Sequence, residues 1–337
     1  MLSLWLQYLV CGTAITVSGF QLCRQGDIIA VRTGWGRTWI GVVLLASATS
    51  LPELITGSTA VVWLDLPDLA VGNVFGASLM NLLMLAIADL FYRPGPVLTA
   101  AGRSQVLAAA LAIVVLSVAT LGVMARSPLN HVAVGHIGLY TPVLLACYLV
   151  GMRILYRFQK REYREYLAER QEEAKVAGVS LSQAILKFSL HALVVVTAAV
   201  WLPQVASDLA VQLEWQQTLV GTIFVALATT LPELVVTLSA LKIGAVDLAI
   251  GDLFGSVLFN INLLAIFDLL SYPYPVLLRV TPTHAATGLM AILMTAIAAV
   301  ELVYRPEKKI LGWLSAGALL MAFLYACAVV GHFLAGA

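Results

Sequence analysis

The chain has 337 residues, 61% of them hydrophobic and only 11% charged, with a formal net charge of +1. A soluble domain carries about 25% charged residues, so a water-soluble globular protein is excluded and a multi-pass protein of the lipid bilayer is implied. The near-neutral balance gives no electrostatic footprint for a nucleic-acid partner, and no obligate protein partner is evident.

Ten apolar stretches are long enough to cross a membrane, which takes about 17–25 residues each. The first, Leu4–Leu22, has no basic leader or small-residue cleavage site and is read as a retained helix. The second, Thr38–Trp63, contains Ala46-Ser-Ala-Thr-Ser-Leu-Pro-Glu-Leu54. Glu53 is its only charged residue and sits near mid-span. An acid at that depth costs about 2.5–3.5 kcal/mol on insertion scales and is functional by default. The third, Leu69–Tyr92, carries Gly72 and Gly76, spaced so that a neighbouring helix can approach closely. Asn81 and Asp89 follow along it. Val106–Met124 and Val134–Leu155 complete five spans. A segment dense in both charge signs, Arg157–Gly178, reads as a solvated helical extension of span five.

The second five are Ile185–Leu202, Thr218–Leu241, Val246–Leu270, Thr283–Val303 and Ile310–Leu334. Within the seventh stands Ala226-Leu-Ala-Thr-Thr-Leu-Pro-Glu-Leu234, with Glu233 again the only charge. Residues 68–81 and 247–260 then agree at eight of fourteen positions, and the register of 179 holds at Asp89/Asp268, Pro94/Pro273 and Pro96/Pro275. Shared hydrophobicity does not align Pro-Glu, paired glycines, Asn and Asp in this way. The fold class expected is therefore all-α, ten transmembrane helices as two inverted five-helix repeats. The halves are 1–156 and 183–337, joined by a connector over 157–182. Five crossings per half invert the second copy relative to the first, and corresponding Pro-interrupted segments point to a midplane site.

With the amino terminus outside, every Lys and Arg faces inward except Arg126 and Arg279. The positive-inside rule then puts both termini outside and the central loop in the cytoplasm of a cell whose inner membrane holds the protein. Cys11, Cys23, Cys147 and Cys327 have no metal-like spacing and read as packing residues.

The duplicated acids need a partner, and no Lys or Arg lies at their depth. A proton, a hydrogen bond or a bound cation remains. The surroundings favour a cation. Pro52 and Pro232 lack an N–H and crowd the carbonyl four residues back, which loosens the backbone around Ala48 and Ala228. Thr49, Ser50, Thr229 and Thr230 add hydroxyls within a turn of the acids. Asn81, Asn260 and Ser256 on the next helix of each copy can complete a shell, unless the Asn pair serves interhelical hydrogen bonding. All are hard oxygens, suited to Na⁺ and Ca²⁺ rather than soft metals. Asp252, in place of the first copy's Asn73, either lines the access route or sits near water. Asp89 and Asp268 are expected to be structural.

Thr-Ser-Leu-Pro-Glu (49–53) and Thr-Thr-Leu-Pro-Glu (229–233), followed by Gly-Asn-Val-Phe-Gly (72–76) and Gly-Asp-Leu-Phe-Gly (251–255), resemble the cation/calcium exchanger superfamily on its sodium/calcium exchanger side, of prokaryotic type. The resemblance implies Na⁺/Ca²⁺ antiport by alternating access, with no cofactor and no enzymatic activity. It implies that Glu53 and Glu233 bridge the divalent ion, with the carbonyls of Thr49 and Thr229. The carbonyls of Ala46 and Ala226, with the hydroxyls of Thr49, Ser50, Thr229, Thr230 and Ser256, would serve flanking Na⁺ sites. Asn81 and Asn260 would close the middle, and spans one and six would be the sliding gates. The chain departs from the family at Ala77 (usually Ser), Asn260 (often Asp), Thr230 (usually Ser) and Asp252 (usually Asn). The lost hydroxyl at Ala77 motivates an alternative in which the same fold couples protons or another divalent cation. An intramembrane acid protease also needs paired carboxylates, but the hydroxyls around each acid fit ion ligation better.

Overall fold

The computed structural model describes residues 2–124, 133–169, 180–212, 226–310 and 312–335. The architecture is helical. Helix α1 is Leu2–Thr33, α2 is Arg37–Thr49, α3 is Leu51–Val62, α4 is Pro67–Phe91, α5 is Ser104–Met124, and α6 is Tyr140–Glu169. Helix α7 is Leu181–Gln212, α8 is Ala226–Lys242, α9 is Val246–Leu270, α10 is Thr283–Tyr304, and α11 is Ala316–Ala335. Among the described residues seven helices are long and apolar enough to cross a membrane, or eight if the bent pair α2–α3 is one span. Expected span seven begins in residues outside the described ones.

Three local expectations are corrected. Span five does not start at Val134: Ala133–Val134 pairs antiparallel with Ile137–Gly138, and the helix begins only at Tyr140. Gly135, at φ 69°, supplies the left-handed backbone that this tight hairpin requires. Span ten does not start at Ile310 either, because Ile310 N–H donates to Leu314 O at 2.7 Å and the helix waits until Ala316. The two prolines also behave differently. Around Pro52 the chain breaks at Ser50 (φ −92°, ψ 5°) and bends by 45°. Around Pro232 the described helix α8 runs through without interruption. One missing N–H is tolerable within a helix, and a π-helical turn at Ile40–Leu45 precedes the break at Ser50.

Helices α4 and α9 form the centre, with 61% and 78% of their apolar windows buried. Helices α6 and α7 lie at the periphery, 28% buried each. Their outward Leu149 and Leu193 need lipid rather than water around them. Helix α1 packs along α7, and α5 along α10. Helix α2 crosses α9 backbone to backbone. A Cβ on Gly41 would stand 2.6 Å from Leu248 O, and one on Gly255 would stand 2.8 Å from Ala46 Cβ. Neither neighbour can yield without moving a helix. Gly255→Val is therefore expected to cost at least about 1–3 kcal/mol and to be seen as a lower melting temperature of the purified protein in detergent.

The two copies grip each other reciprocally. Gly102 N–H donates to Asp247 Oδ1 at 2.7 Å, and Thr281 N–H donates to Asp68 Oδ1 at 2.7 Å. Gln105 Nε2 lies 3.4 Å from Asp247 Oδ1, and His284 Nε2 lies 3.0 Å from Asp68 Oδ1. Each residue in one set is 179 positions from its counterpart in the other. Such exchange of partners is the signature of a twofold relation.

Asp89 and Asp268 are structural, as expected. Asp89 accepts from Val97 N–H at 2.6 Å and Ser315 N–H at 2.7 Å, with Lys309 Nζ 3.7 Å away. Asp268 accepts from Val276 N–H at 2.7 Å, Gly138 N–H at 2.8 Å and Thr141 Oγ1 at 2.6 Å, and also from the Tyr140 hydroxyl. Each carboxylate thus ties the loop after its helix to a helix start elsewhere in the chain.

Candidate cation site

Glu53 enters the first turn of α3 because the break at Ser50 restarts the helix there. It is 1% exposed, as is Glu233 on α8. Both oxygens of both carboxylates meet no hydrogen-bonding partner among the described residues. The same holds for both amide atoms of Asn81 on α4 and of Asn260 on α9, each fully buried. The interhelical hydrogen bonding considered for the Asn pair is therefore not formed among these residues. Other buried polar side chains, such as Gln25 and Asn262, leave a single atom open. Among the described residues, only these two repeat-related pairs leave two side-chain polar atoms open on each residue.

The segments that carry them are mutual neighbours: α3 packs on α4 and α9, and α8 packs on α4 and α9. Glu233 interacts electrostatically with Glu53 and with Asp252. The buried Ser50 hydroxyl also lacks a partner. Thr49 Oγ1 donates at the edge of range to Leu45 O at 3.2 Å or Ala46 O at 3.3 Å, and stands 3.4 Å from Ser256 Oγ. Ala46 O also accepts from Ser50 N–H at 3.0 Å. Thr230 is buried on α8 beside Glu233, and Ala226 and Thr229 lie in the first turn of the same helix. Ala77 is buried, so the hydroxyl-free position faces protein rather than lipid.

Asp252 is a correction. It does not sit near water, being 0% exposed, with Thr49 Oγ1 3.5 Å from its Oδ1. Its signal in the sequence is the one mismatch between the copies of residues 68–81 and 247–260 that adds a charge.

An unmade hydrogen bond at a buried polar atom costs about 1–3 kcal/mol, and more for a charged group. This fold satisfies Asp89 and Asp268 with several donors each, so it can saturate a buried carboxylate. Among the described residues it does not do so for Glu53, Glu233, Asn81 and Asn260. Open carboxylate and amide groups on adjoining helices offer hard oxygens and negative charge, the chemistry that suits a hard cation. Among the described residues no group of three or more His, Cys, Asp and Glu gathers as a metal centre. The arrangement is a mixed carboxylate, amide and hydroxyl set.

A family profile described as "Sodium/calcium exchanger protein" matches residues 3–156 and 184–333. The chain is 26% identical over 255 residues to the inner membrane protein YrbG of Escherichia coli (strain K12), covering 75% of each. It is 40% identical over 80 residues, 23% of each chain, to the sodium/calcium exchanger MaX1 of Methanosarcina acetivorans. A solved structure of the sodium-calcium exchanger NCX_Mj, soaked with 10 mM Na⁺ and zero Ca²⁺, superposes with a TM-score of 0.72 at 20% identity, covering 98% of this chain and 99% of that one. At that identity the likeness is one of fold.

Proposed function

The chain belongs to the sodium/calcium exchanger family, and from that premise we propose that it is a secondary antiporter exchanging Na⁺ for Ca²⁺ by alternating access. It is a multi-pass membrane protein whose relatives are transporters rather than enzymes. In the proposed arrangement ten spans form two inverted halves, 1–156 and 183–337, with both termini outside and residues 157–182 facing the cytoplasm. The reciprocal pairing of Asp68 and Asp247 supports the twofold relation, and an odd number of crossings per half supports the inversion.

The observation that carries the proposal is the pair of buried glutamates with all four oxygens open. Two carboxylates neutralise one divalent ion. Four carboxylate oxygens with the carbonyls of Thr49 and Thr229 approach the six to eight ligands, roughly, that Ca²⁺ takes. Na⁺ is held at the flanks by the carbonyls of Ala46 and Ala226 and the hydroxyls of Thr49, Ser50, Thr229, Thr230 and Ser256, with Asn81 and Asn260 closing the middle. Both ions draw on the same carboxylates, so they compete. A vacant pair of buried negative charges is expensive in low dielectric. The halves therefore interconvert readily only when loaded, and the cycle is exchange rather than leak. Helices α1 and α7, packed on each other at the periphery, are suited to slide as the gate.

The test is ⁴⁵Ca²⁺ uptake into proteoliposomes of the purified protein. An outward Na⁺ gradient is expected to drive uptake that is absent without it. The buried methyl at Ala77, where a hydroxyl would serve a flanking Na⁺, favours a second reading in which protons or another divalent ion are coupled. Uptake driven by a pH gradient in sodium-free buffer would select it.

A further inference from the structure

Glu53 and Glu233 are equivalent acids, yet the helices that carry them are held by different means. The described helix α8 runs through Pro232 without interruption, so its own ladder of hydrogen bonds sets the direction of Glu233. Helix α3 has to start afresh after the break at Ser50, with Pro52 in its first turn. There the ladder begins weakly. Leu54 N–H reaches Ser50 O at 3.3 Å, and Pro52 has no N–H to give. The turn that bears a buried carboxylate is fixed only loosely by its own backbone.

Thr56, three residues after Glu53, supplies a second tie. Its hydroxyl donates to Pro52 O at 2.9 Å, with Glu53 O at 3.3 Å. Back-bonding of this kind is a general habit of helical threonines. The informative contact comes from outside the helix: Asn73 Nδ2 on α4 donates to the same hydroxyl oxygen at 3.2 Å. Asn73, Thr56 and Pro52 therefore form one chain of hydrogen bonds from the central helix α4 to the turn that bears Glu53. In the second copy this chain cannot form. The counterpart of Thr56 is Val236, which has no hydroxyl, and that of Asn73 is Asp252. Asp252 lies instead 3.5 Å from Thr49 Oγ1 in the opposite half. The tie is present where the helix is broken and missing where the described helix is continuous.

We propose that Asn73 and Thr56 are positioning residues for Glu53: through the carbonyl of Pro52 they fix the angle at which α3 presents the Glu53 carboxylate to a bound cation. The inference rests on the exchanger reading above and adds to it two side chains that act on the ion only through Glu53. Removing a group that orients a metal ligand lowers metal affinity by about 10–100-fold. Glu233, directed by its own helix, has no need of such a group.

Thr56→Val places on α3 the residue that the second copy already carries, with almost no change of volume. In proteoliposomes of the full-length protein, the Ca²⁺ concentration giving half-maximal Na⁺-driven ⁴⁵Ca²⁺ uptake is expected to rise about tenfold or more. Thr56→Ser keeps the hydroxyl and is expected to keep the wild-type value. Asn73→Ala is expected to match Thr56→Val, and the double variant to be no worse than either alone, because a single chain of bonds is cut. In ion-free protein, amide hydrogen exchange over residues 51–56 is expected to quicken about fivefold in Thr56→Val, as for the loss of one hydrogen bond, with no change over residues 231–236. An unmoved Ca²⁺ half-saturation in Thr56→Val would overturn the inference, even with a lower melting temperature, which is the mark of a purely structural contact. So would a Thr56→Ser as impaired as Thr56→Val, or a double variant worse than both singles. If Asn73→Ala folds poorly, the comparison of Thr56→Val with Thr56→Ser decides alone. Failure of the exchanger reading looks different: the wild type then shows no Na⁺-driven uptake, while hydrogen exchange over residues 51–56 still reads whether the tie holds the turn.

Discussion

Glu53→Gln and Glu233→Gln each reduce Na⁺-driven ⁴⁵Ca²⁺ uptake by at least about 100-fold, the factor expected when a buried ion loses a charged partner worth about 3–5 kcal/mol. Gln keeps the size and one acceptor oxygen of Glu. It halves the charge of the pair and turns an amide N–H₂ toward the place a cation would take. The loss must be separable from misfolding, and the open geometry makes it so. Neither carboxylate is hydrogen-bonded to a described residue, so the neutral amide removes an uncompensated buried charge and breaks no bond. Both variants are expected to melt no lower than the wild type when Ca²⁺ is chelated. The wild type is expected to gain stability on adding Ca²⁺, by about 2.7 kcal/mol at a hundred times the dissociation constant, and the variants to gain none. Near-normal uptake in either variant would sink the site assignment.

Asp268→Ala produces the opposite pattern. Its carboxylate satisfies the N–H groups of Val276 and Gly138 and the hydroxyls of Tyr140 and Thr141. All four donors are orphaned together, at about 1–3 kcal/mol each. The protein is expected to lose several kcal/mol of stability, read as a large fall in melting temperature in detergent or as failure to elute as a single species. Asp268→Asn retains one acceptor and should fall between. If Asp268→Ala were instead as stable as the wild type and altered only ion affinity, the residue would have to be moved from scaffold to site. The contrast between Asp268 and Glu53 separates two uses of a buried acid. One is surrounded by donors and holds the fold. The other has no hydrogen-bonding partner among the described residues, and on the proposed function its partner is a cation.

That contrast marks how far the sequence reaches. The two glutamates were legible because an acid at mid-membrane is costly wherever it occurs, and this chain bears the cost twice in the same words. The repeat register, and with it Asn81 and Asn260, followed from the same duplication. The helical membrane class followed from composition alone. Asp252 was visible as a mismatch, but its full burial was not. Whether it meets water or a hydroxyl depends on which helix crosses it, and Thr49 lies in the other half of the chain.

The break at Ser50 but not at Pro232 was equally hidden, since both prolines carry the same local rule. Around Pro52 the break accompanies the π-helical turn at Ile40–Leu45 and the close crossing of α2 on α9 at Gly41 and Gly255, which belong to packing. The hairpin at Ala133–Gly138 escaped because a short apolar stretch has no period that separates strand from helix. Composition and duplication determined the class, the halves and the central acids, because these rest on costs that each residue carries with it. Contacts across the halves decided which polar atoms are satisfied and which stay open, because hydrogen bonds and close crossings exist only once two distant segments meet.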